Sequence, residues 1–371
     1  MWSPRSACLT RASAVTASTP QPSPTTTSGP RSRAPGASRR LPSRAGVTVA
    51  LATALALLLG QFVAAAPAGA TTVQVRICGT WVMQQVSTSA ELARAEPGIK
   101  DALKVGGVRG LSLRVPWSAV DRNFALLTQA ADIAASQGKQ ITVRIMAGVH
   151  TPARIFDAGA FSYQTAAGKR VPKPFSSAGV AGNPVFEREY EALVKRLARW
   201  SADHKARVMH LPWYGYQWAE IYNGPDVQSA SGYRYAAWLG GHRRLLKIAK
   251  KYTSPKVAAE FALSGHWGDA KMGSTDISKA VVSRWGEWSD EVFVQGNGLG
   301  VYNNDPTNQA IFTGRQMFGP ASYDWIKTYD VLKSQGAVYV EVYTPSFTAA
   351  GAGELARQSK AFRAHCRAAA A

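Results

Sequence analysis

The feature that most constrains the fold is a regular alternation between short apolar runs rich in β-branched residues and longer amphipathic stretches of helical period. This alternation is typical of a parallel α/β fold, because each helix returns the chain to the start of the next parallel strand. Seven runs predict strands, at residues 77–83, 111–116, 141–147, 208–216, 257–263, 292–295 and 338–342. The other stretches predict helices, at residues 91–105, 124–137, 186–204, 233–252, 277–289, 323–335 and 353–365.

Two parallel architectures compete for this pattern, a closed (β/α)8 barrel and a doubly wound open sheet. A dinucleotide-binding open sheet needs a glycine-rich turn after its first strand, and Cys78-Gly79-Thr80-Trp81 has none. We therefore predict a (β/α)8 barrel with an incomplete or irregular eighth strand, because only seven strands are evident. The segment 155–184, rich in Gly, Ala, Ser, Lys and Pro, is predicted to be a long strand-to-helix loop at the cleft.

The N-terminal part of the chain predicts export. Arg39, Arg40 and Arg44 precede an apolar run at 47–59, and the small residues Ala68-Gly69-Ala70 follow it, as in a secretory signal peptide. A retained membrane anchor is the competing hypothesis, but the run is shorter than the roughly 20 residues that a span needs. We therefore expect a disordered extension at 1–38, a signal peptide at 39–70, and one secreted domain at 71–371 with no membrane contact after cleavage.

Charge and cysteine usage follow from that cleavage. Removing residues 1–70 removes seven arginines and no acidic residue, which lowers the formal net charge from +20 to +13. The densest basic run, residues 242–251, alternates with apolar residues at helical spacing, which favours an amphipathic helix over a nucleic-acid interface. Cys78 and Cys366 remain near the two ends of the domain, and an oxidising compartment predicts a disulfide between them.

Polar and aromatic residues gather where the predicted strands end, which is the edge that forms the active site of such barrels. Amides, guanidinium groups, carboxylates and rings at one mouth suit a polyhydroxylated ligand, because rings stack on sugar faces and planar groups bind hydroxyls. The predicted substrate-binding residues are Arg114, Trp117, Arg144, His150, Tyr216, Trp218, Tyr222, Asn223, Glu260, Gln295, Asn297 and Tyr343.

Two carboxylates are candidates for catalysis. Glu220 lies among aromatic residues after the fourth predicted strand, and Glu341 lies inside the seventh, in Val338-Tyr339-Val340-Glu341-Val342-Tyr343. At the tips of nearly opposite strands they could flank a glycosidic bond, one as acid and the other at the anomeric carbon. Three alternatives stay open: Glu341 forms a structural ion pair with Arg114 or Arg144, Glu260 replaces one member, or Glu220 binds sugar without catalysis.

The order of three segments resembles the β-galactosidase-like members of glycoside hydrolase clan A. These segments are GTWVMQQ at 79–85, LRVPWSAV at 113–120 and TVRIMAGVHTP at 142–152. The resemblance implies that Glu220 is the general acid/base on strand four and Glu341 the nucleophile on strand seven, with retention of configuration. One position departs from the family pattern, since Ala219 stands where the family usually has an asparagine that holds the sugar 2-hydroxyl.

These observations predict a secreted, monomeric glycoside hydrolase that acts on a β-linked oligo- or polysaccharide, with no metal and no cofactor. No two histidines have metal-ligand spacing, and no Gly-x-Ser-x-Gly motif is present. A non-catalytic carbohydrate-binding or degenerate barrel is the main alternative, favoured by Ala219 and by the strand count. A third hypothesis is a basic protein that docks on anionic cell-surface polymers.

Overall fold

Eight parallel strands, taken in chain order, close into a barrel in the computed structural model. The structure describes residues 77–204, 208–210, 213–216, 223–252, 258–263, 292–299, 314–317, 324–334, 339–348 and 352–368. The barrel strands are β1 (Gly79–Gln85), β2 (Val108–Pro116), β3 (Gln140–Met146), β6 (Val208–His210), β7 (Ala258–Leu263), β8 (Val292–Leu299), β9 (Gly314–Met317) and β10 (Tyr339–Tyr343). Between β3 and β6 the strands β4 (Ser162–Gln164) and β5 (Arg170–Pro172) form a separate antiparallel pair.

Helices connect the barrel strands. Those in the described residues are α1 (Ser89–Lys104), α2 (Trp117–Val120), α3 (Ala125–Ser136), α4 (Ala153–Asp157), α5 (Pro184–Asp203), α6 (Pro225–Gln228), α7 (Tyr235–Lys250), α8 (Trp325–Ser334) and α9 (Ala352–Ala368). Single 3-10 turns follow two strands, at Gly148–His150 and Thr344–Phe347. None of the described helices is long and apolar enough to cross a membrane. The predicted extension 1–38, signal peptide 39–70 and helix 277–289 lie outside the described residues.

The (β/α)8 barrel is confirmed, and it contains an irregular strand pairing, because the register between β8 and β9 shifts between Gly296 and Leu299. The strand that the sequence pattern missed is β9, which pairs with β10 at Gly314↔Tyr339 and with β8 at Gln295↔Gly314. Its sequence, Gly-Arg-Gln-Met, has no β-branched or aromatic residue, so strand propensity gives no signal there. Consequently β10 is the eighth strand of the barrel, and not the seventh.

Some predicted element bounds also change. The strand predicted at 208–216 is described as β6, Val208–His210, and Trp213 and Tyr214 are buried outside any strand. The loop predicted at 155–184 contains most of α4 and the β4–β5 hairpin. Asn183 holds that hairpin to α5, because its side chain accepts from the Phe186 N–H and donates to the Phe161 and Lys173 carbonyls.

The barrel has an apolar outer layer and a polar interior on the side formed by β10, β1, β2 and β3. Side chains alternate along a strand, so Leu111, Leu113 and Val115 of β2 lie in the apolar layer beneath the helices. The residues between them, Ser112 and Arg114, face the interior and have no exposed surface. A polar interior requires hydrogen-bond partners inside the barrel, since a buried polar group without one costs free energy.

The predicted disulfide between Cys78 and Cys366 is present, with 6.0 Å between the two Cα atoms. It joins the residue before β1 to the last helix, α9. Side-chain hydrogen bonds add to this connection, because Tyr329 of α8 contacts both Thr80 of β1 and Ser359 of α9. The two ends of the barrel domain are therefore held together covalently and by packing.

A buried histidine of α7 packs against the segment that follows β6. The ring of His242 packs at 4.8 Å from Trp238 and 5.5 Å from Tyr214, measured between ring centroids. It has no exposed surface, and neither ring nitrogen has a hydrogen-bond partner among the described residues. Burial lowers the pKa of His242 from 6.5 to about 3, so the folded protein keeps this ring neutral.

We expect His242 to make the folded state sensitive to acid. Below pH 6.5 the unfolded chain takes up a proton that the folded chain does not, so stability is full above pH 6.5 and falls as the pH approaches 3. Between pH 7 and pH 5 the loss from this residue is about 2 kcal/mol. Urea unfolding at both pH values, on the wild type and on His242→Phe, checks this. The prediction fails if the two proteins lose the same free energy of unfolding between these pH values.

Candidate functional site

A cluster of five side chains, hereafter the interior polar cluster, fills part of the barrel. It consists of Ser112, Thr142, Arg144, Tyr339 and Glu341, none of which has exposed surface. Glu341 is its centre. One carboxylate oxygen, Oε1, accepts from the Tyr339 hydroxyl at 2.7 Å and from the Ser112 hydroxyl, and Oε2 accepts from Arg144 Nη2 at 2.9 Å.

The contacts of Glu341 cross the barrel interior. Glu341 lies on β10, Ser112 on β2 and Arg144 on β3, and β1 separates β10 from β2. Side chains on strands that are not neighbours can meet only through the interior. The interior polar cluster therefore joins the second and third barrel strands to the eighth.

The charge of Glu341 is balanced where it lies. Glu341 and Arg144 form an ion pair in which both side chains have no exposed surface. Breaking a buried pair by removing one partner costs several kcal/mol, because the other charge is left without compensation. The pKa of Tyr339 is raised well above its ordinary value, first by burial and then by the nearby charge of Glu341. Tyr339 thus stays protonated and donates its hydrogen bond across the neutral pH range.

The structure corrects the strand on which Glu341 lies. In the pairing of β1 with β10, Glu341 stands beside Trp81, and in the pairing with β9 it stands beside Gln316. Glu341 is therefore on the eighth barrel strand, two residues before its end, and not at the tip of the seventh. In an eight-stranded barrel the eighth and fourth strands are four places apart in both directions, so β10 lies opposite β6.

The carboxyl ends of the strands carry several of the predicted binding residues. His150, Tyr216 and Tyr343 are partly buried there. His150 lies in the 3-10 turn after β3, Tyr216 lies in the segment after β6, and Tyr343 is the last residue of β10. The exits of the third and fourth strands touch, because the Val149 N–H donates to the Tyr216 carbonyl at 2.8 Å. Gly148 permits this contact, since it has φ +61° and a Cβ there would lie 2.0 Å from the Tyr216 oxygen.

Three of the predicted substrate-binding residues are buried in the protein. Trp117 has no exposed surface and packs edge-on against Phe186 at 5.6 Å, so this packing gives no support to its predicted stacking on sugar. Asn223 is buried and accepts a hydrogen bond from the Tyr233 hydroxyl at 3.1 Å. Arg114 is fully buried, and its backbone pairs with Gln85 on one side and Arg144 on the other.

The remaining predicted residues are described only by their strands or not at all. Glu260 lies on β7 and pairs with His210 and Phe293, and Gln295 and Asn297 lie two residues apart on β8. Glu220, Trp218 and Tyr222 lie outside the described residues. Their predicted roles stay predictions, as does the role of Glu341 in catalysis. Within the described part of the chain, no group of three His, Cys, Asp or Glu side chains is placed to hold a metal.

Three members of the interior polar cluster, Ser112, Thr142 and Tyr339, were not predicted. Ser112 and Tyr339 both donate to Glu341. A signal was present in the sequence, because strands buried on both faces normally read as continuous apolar runs. Here polar residues recur at every second position, in Ser112-Leu113-Arg114, Thr142-Val143-Arg144 and Tyr339-Val340-Glu341. That period indicates a polar interior face on three strands.

Comparison with solved structures identifies the architecture. The structure is similar to a cold-adapted β-galactosidase from Rahnella sp. R3, with 11% identity and a TM-score of 0.50 over 82% of this chain and 58% of that one. It is also similar to Gan42B, a GH42 β-galactosidase from G. stearothermophilus, with 9% identity and a TM-score of 0.51 over 80% of this chain and 58% of that one. The fold is shared with GH42 β-galactosidases.

At this identity the similarity concerns the fold alone. This confirms the predicted β-galactosidase-like barrel as an architecture. The chain spans a little over half of the length of those two enzymes, since 58% of each is covered. The sequence matches no protein-family model, and it matches no curated protein.

Proposed function

We propose that this chain is a glycosidase that cleaves a β-linked saccharide at the carboxyl ends of the barrel strands. The observation that carries the proposal is the buried, ion-paired carboxylate of Glu341 on the wall opposite the fourth strand, in a barrel whose fold is shared with β-galactosidases. Glu220 follows the fourth strand in the sequence. Glycoside hydrolysis requires two carboxylates that flank the scissile bond, and carboxylates from opposite walls can do so.

In this proposal Glu220 donates a proton to the leaving oxygen and later activates water, and Glu341 attacks the anomeric carbon, so that configuration is retained. Three donors fix the Glu341 carboxylate in one orientation, which is the rigidity that a nucleophile needs. His150, Tyr216 and Tyr343 line the entrance and contact the sugar. We further propose that the protein is secreted after cleavage before residue 71 and acts as a monomer.

A specific observation favours a second candidate, a barrel that binds saccharides without cleaving them. Glu341 has no exposed surface, and both of its carboxylate oxygens already accept hydrogen bonds. Ala219 stands where an amide would hold the sugar 2-hydroxyl. In this candidate Glu341 stabilises the interior, and sugar binds only at the mouth.

Replacing Glu220 by glutamine tests the proposal. The wild-type mature chain should hydrolyse at least one member of a panel of aryl β-glycosides and β-linked polysaccharides. We expect Glu220→Gln to lower kcat by a factor of about 10² to 10⁴, the usual contribution of a general acid/base, with little change in saccharide Kd. Initial rates and calorimetric titration measure the two quantities separately.

Glu96→Gln is the matched control, because Glu96 forms a partly exposed ion pair with Lys100 on α1. It should keep the wild-type kcat. Full activity of Glu220→Gln would refute the assignment of Glu220. Saccharide binding by a wild type that turns over no member of the panel would favour the binding barrel over the glycosidase.

A further inference from the structure

Two neighbouring outer helices carry a strong excess of positive charge. The segment 235–251, which comprises α7 and its C-cap, has five basic residues and no acidic residue. Helix α5, which is bridged to α7 by ion pairs, has four basic and four acidic residues. The distribution of the acidic residues decides whether this charge is neutralised locally.

Three of the four acidic residues of α5 are already engaged. Glu187 forms a bidentate pair with Arg244 of α7, with Nη2–Oε2 at 2.7 Å and Nε–Oε1 at 2.8 Å. Glu191 accepts from Lys251 Nζ at 3.0 Å and from the Tyr252 hydroxyl at 2.9 Å. Glu189 pairs with Arg154 at 2.6 Å and with Arg188 at 3.2 Å. Asp203, the last residue of α5, is the fourth.

Four exposed cations are left without an ion pair or hydrogen bond to any described residue. They are Lys195 and Arg199 on α5 and Arg243 and Lys247 on α7, hereafter the basic ridge. Each pair is spaced i, i+4, which places its members about 6 Å apart along the helix axis. The ion pairs of Glu187 with Arg244 and of Glu191 with Lys251 hold α5 against α7 and its C-cap.

We propose that the basic ridge binds a linear anionic polysaccharide, such as a polyuronate. Like charges on two helices that are joined by ion pairs repel one another, and a chain of carboxylates that contacts them relieves that repulsion. The choice of an anion depends only on the charges. The choice of a polysaccharide rests on the proposed function and is consistent with the ridge, which presents no exposed aromatic ring for stacking bases.

This surface is distinct from the barrel mouth. Helices α5 and α7 begin at the exits of barrel strands, and all four ridge residues lie in the C-terminal halves of these helices. The ridge therefore lies toward the opposite end of the barrel from the mouth. Binding there would hold the protein on a polymer while the mouth stays open.

The experiment compares the mature chain, residues 71–371, with two quadruple variants of equal charge. The ridge variant carries Lys195→Gln, Arg199→Gln, Arg243→Gln and Lys247→Gln. The control variant carries Arg94→Gln, Arg122→Gln, Lys360→Gln and Arg367→Gln, which remove four exposed cations elsewhere. The probes are polygalacturonate, neutral dextran and a duplex DNA, each measured by titration at low and at raised salt.

We expect the wild type to bind polygalacturonate, not dextran, with an affinity that falls as salt screens the charges. The ridge variant should bind at least about tenfold more weakly, because it loses the cations that contact the polymer, and the control variant should bind within about threefold of the wild type, because its four cations lie outside the ridge. Equal weakening in both variants, no binding of polygalacturonate, or tighter binding of duplex DNA would each overturn the proposal. The readout is binding, so failure here leaves the glycosidase test unaffected.

Discussion

Glu341→Gln is expected to lower the free energy of unfolding by about 3 to 5 kcal/mol, because it leaves the buried guanidinium of Arg144 without its counter-charge. Both side chains have no exposed surface, so water cannot take over the lost interaction. The amide also places an N–H group beside the Ser112 or the Tyr339 hydroxyl, where an acceptor stood before. Urea unfolding of both proteins at neutral pH measures the loss.

A double-mutant cycle separates the ion pair from packing. Arg144→Met and Glu341→Gln should each destabilise the protein strongly, and the double variant should lose less than the sum of the two. Glu96→Gln provides the exposed comparison, with an expected change of about 0.5 kcal/mol or less. Additive losses in the cycle would mean that Glu341 and Arg144 do not stabilise each other.

The same variant bears on the function. Glu341 can act as a nucleophile or only as a member of a structural ion pair, and both hypotheses predict that an unfolded Glu341→Gln protein is inactive. They differ when activity is measured at a temperature where the variant is folded, because only the nucleophile predicts the loss of turnover there. Glu220→Gln, which replaces no member of the interior polar cluster, then serves as the independent measurement.

The barrel could be predicted from the sequence because its signal is repeated. Strands such as β2 and β3 have β-branched or leucine residues at alternating positions, and helices such as α5 have a clear apolar face. Strand β9 was not predicted because Gly-Arg-Gln-Met has neither a hydrophobic period nor strand propensity. Only its pairing with β8 and β10 defines it as a strand. Local propensity is overridden by tertiary context there.

The sequence predicted which charged residues belong to the candidate site, but not the barrel strand on which Glu341 lies. Arg144 and Glu341 were singled out because charges in buried strands need a partner, and they are partners in the structure. The strand number of Glu341 depended on the undetected β9, so Glu341 was predicted on the seventh strand, nearly opposite the fourth, and not on the eighth. The contact of Ser112 with Glu341 follows from barrel closure, which brings the second strand to the eighth, whereas Tyr339 lies two residues before Glu341 on the same strand.

Removing the disulfide is expected to have the largest effect on stability. Cys78 and Cys366 are 288 residues apart, so their bond restricts a very long loop in the unfolded chain. The chain-entropy relation gives about 5.7 kcal/mol for a loop of this length. For a domain of about 300 residues the loss corresponds to a fall in Tm of about 9 °C.

The double variant Cys78→Ala/Cys366→Ala tests this by calorimetry. We expect it to fold at 25 °C, because α9 keeps its packing through Phe362 against Tyr329 and its hydrogen bond from Ser359. Reductant should lower the Tm of the wild type to near that of the double variant and should leave the variant unchanged. A shift of less than about 3 °C would show that packing of α9 already restrains the chain ends, and that the bond adds little to the folded state.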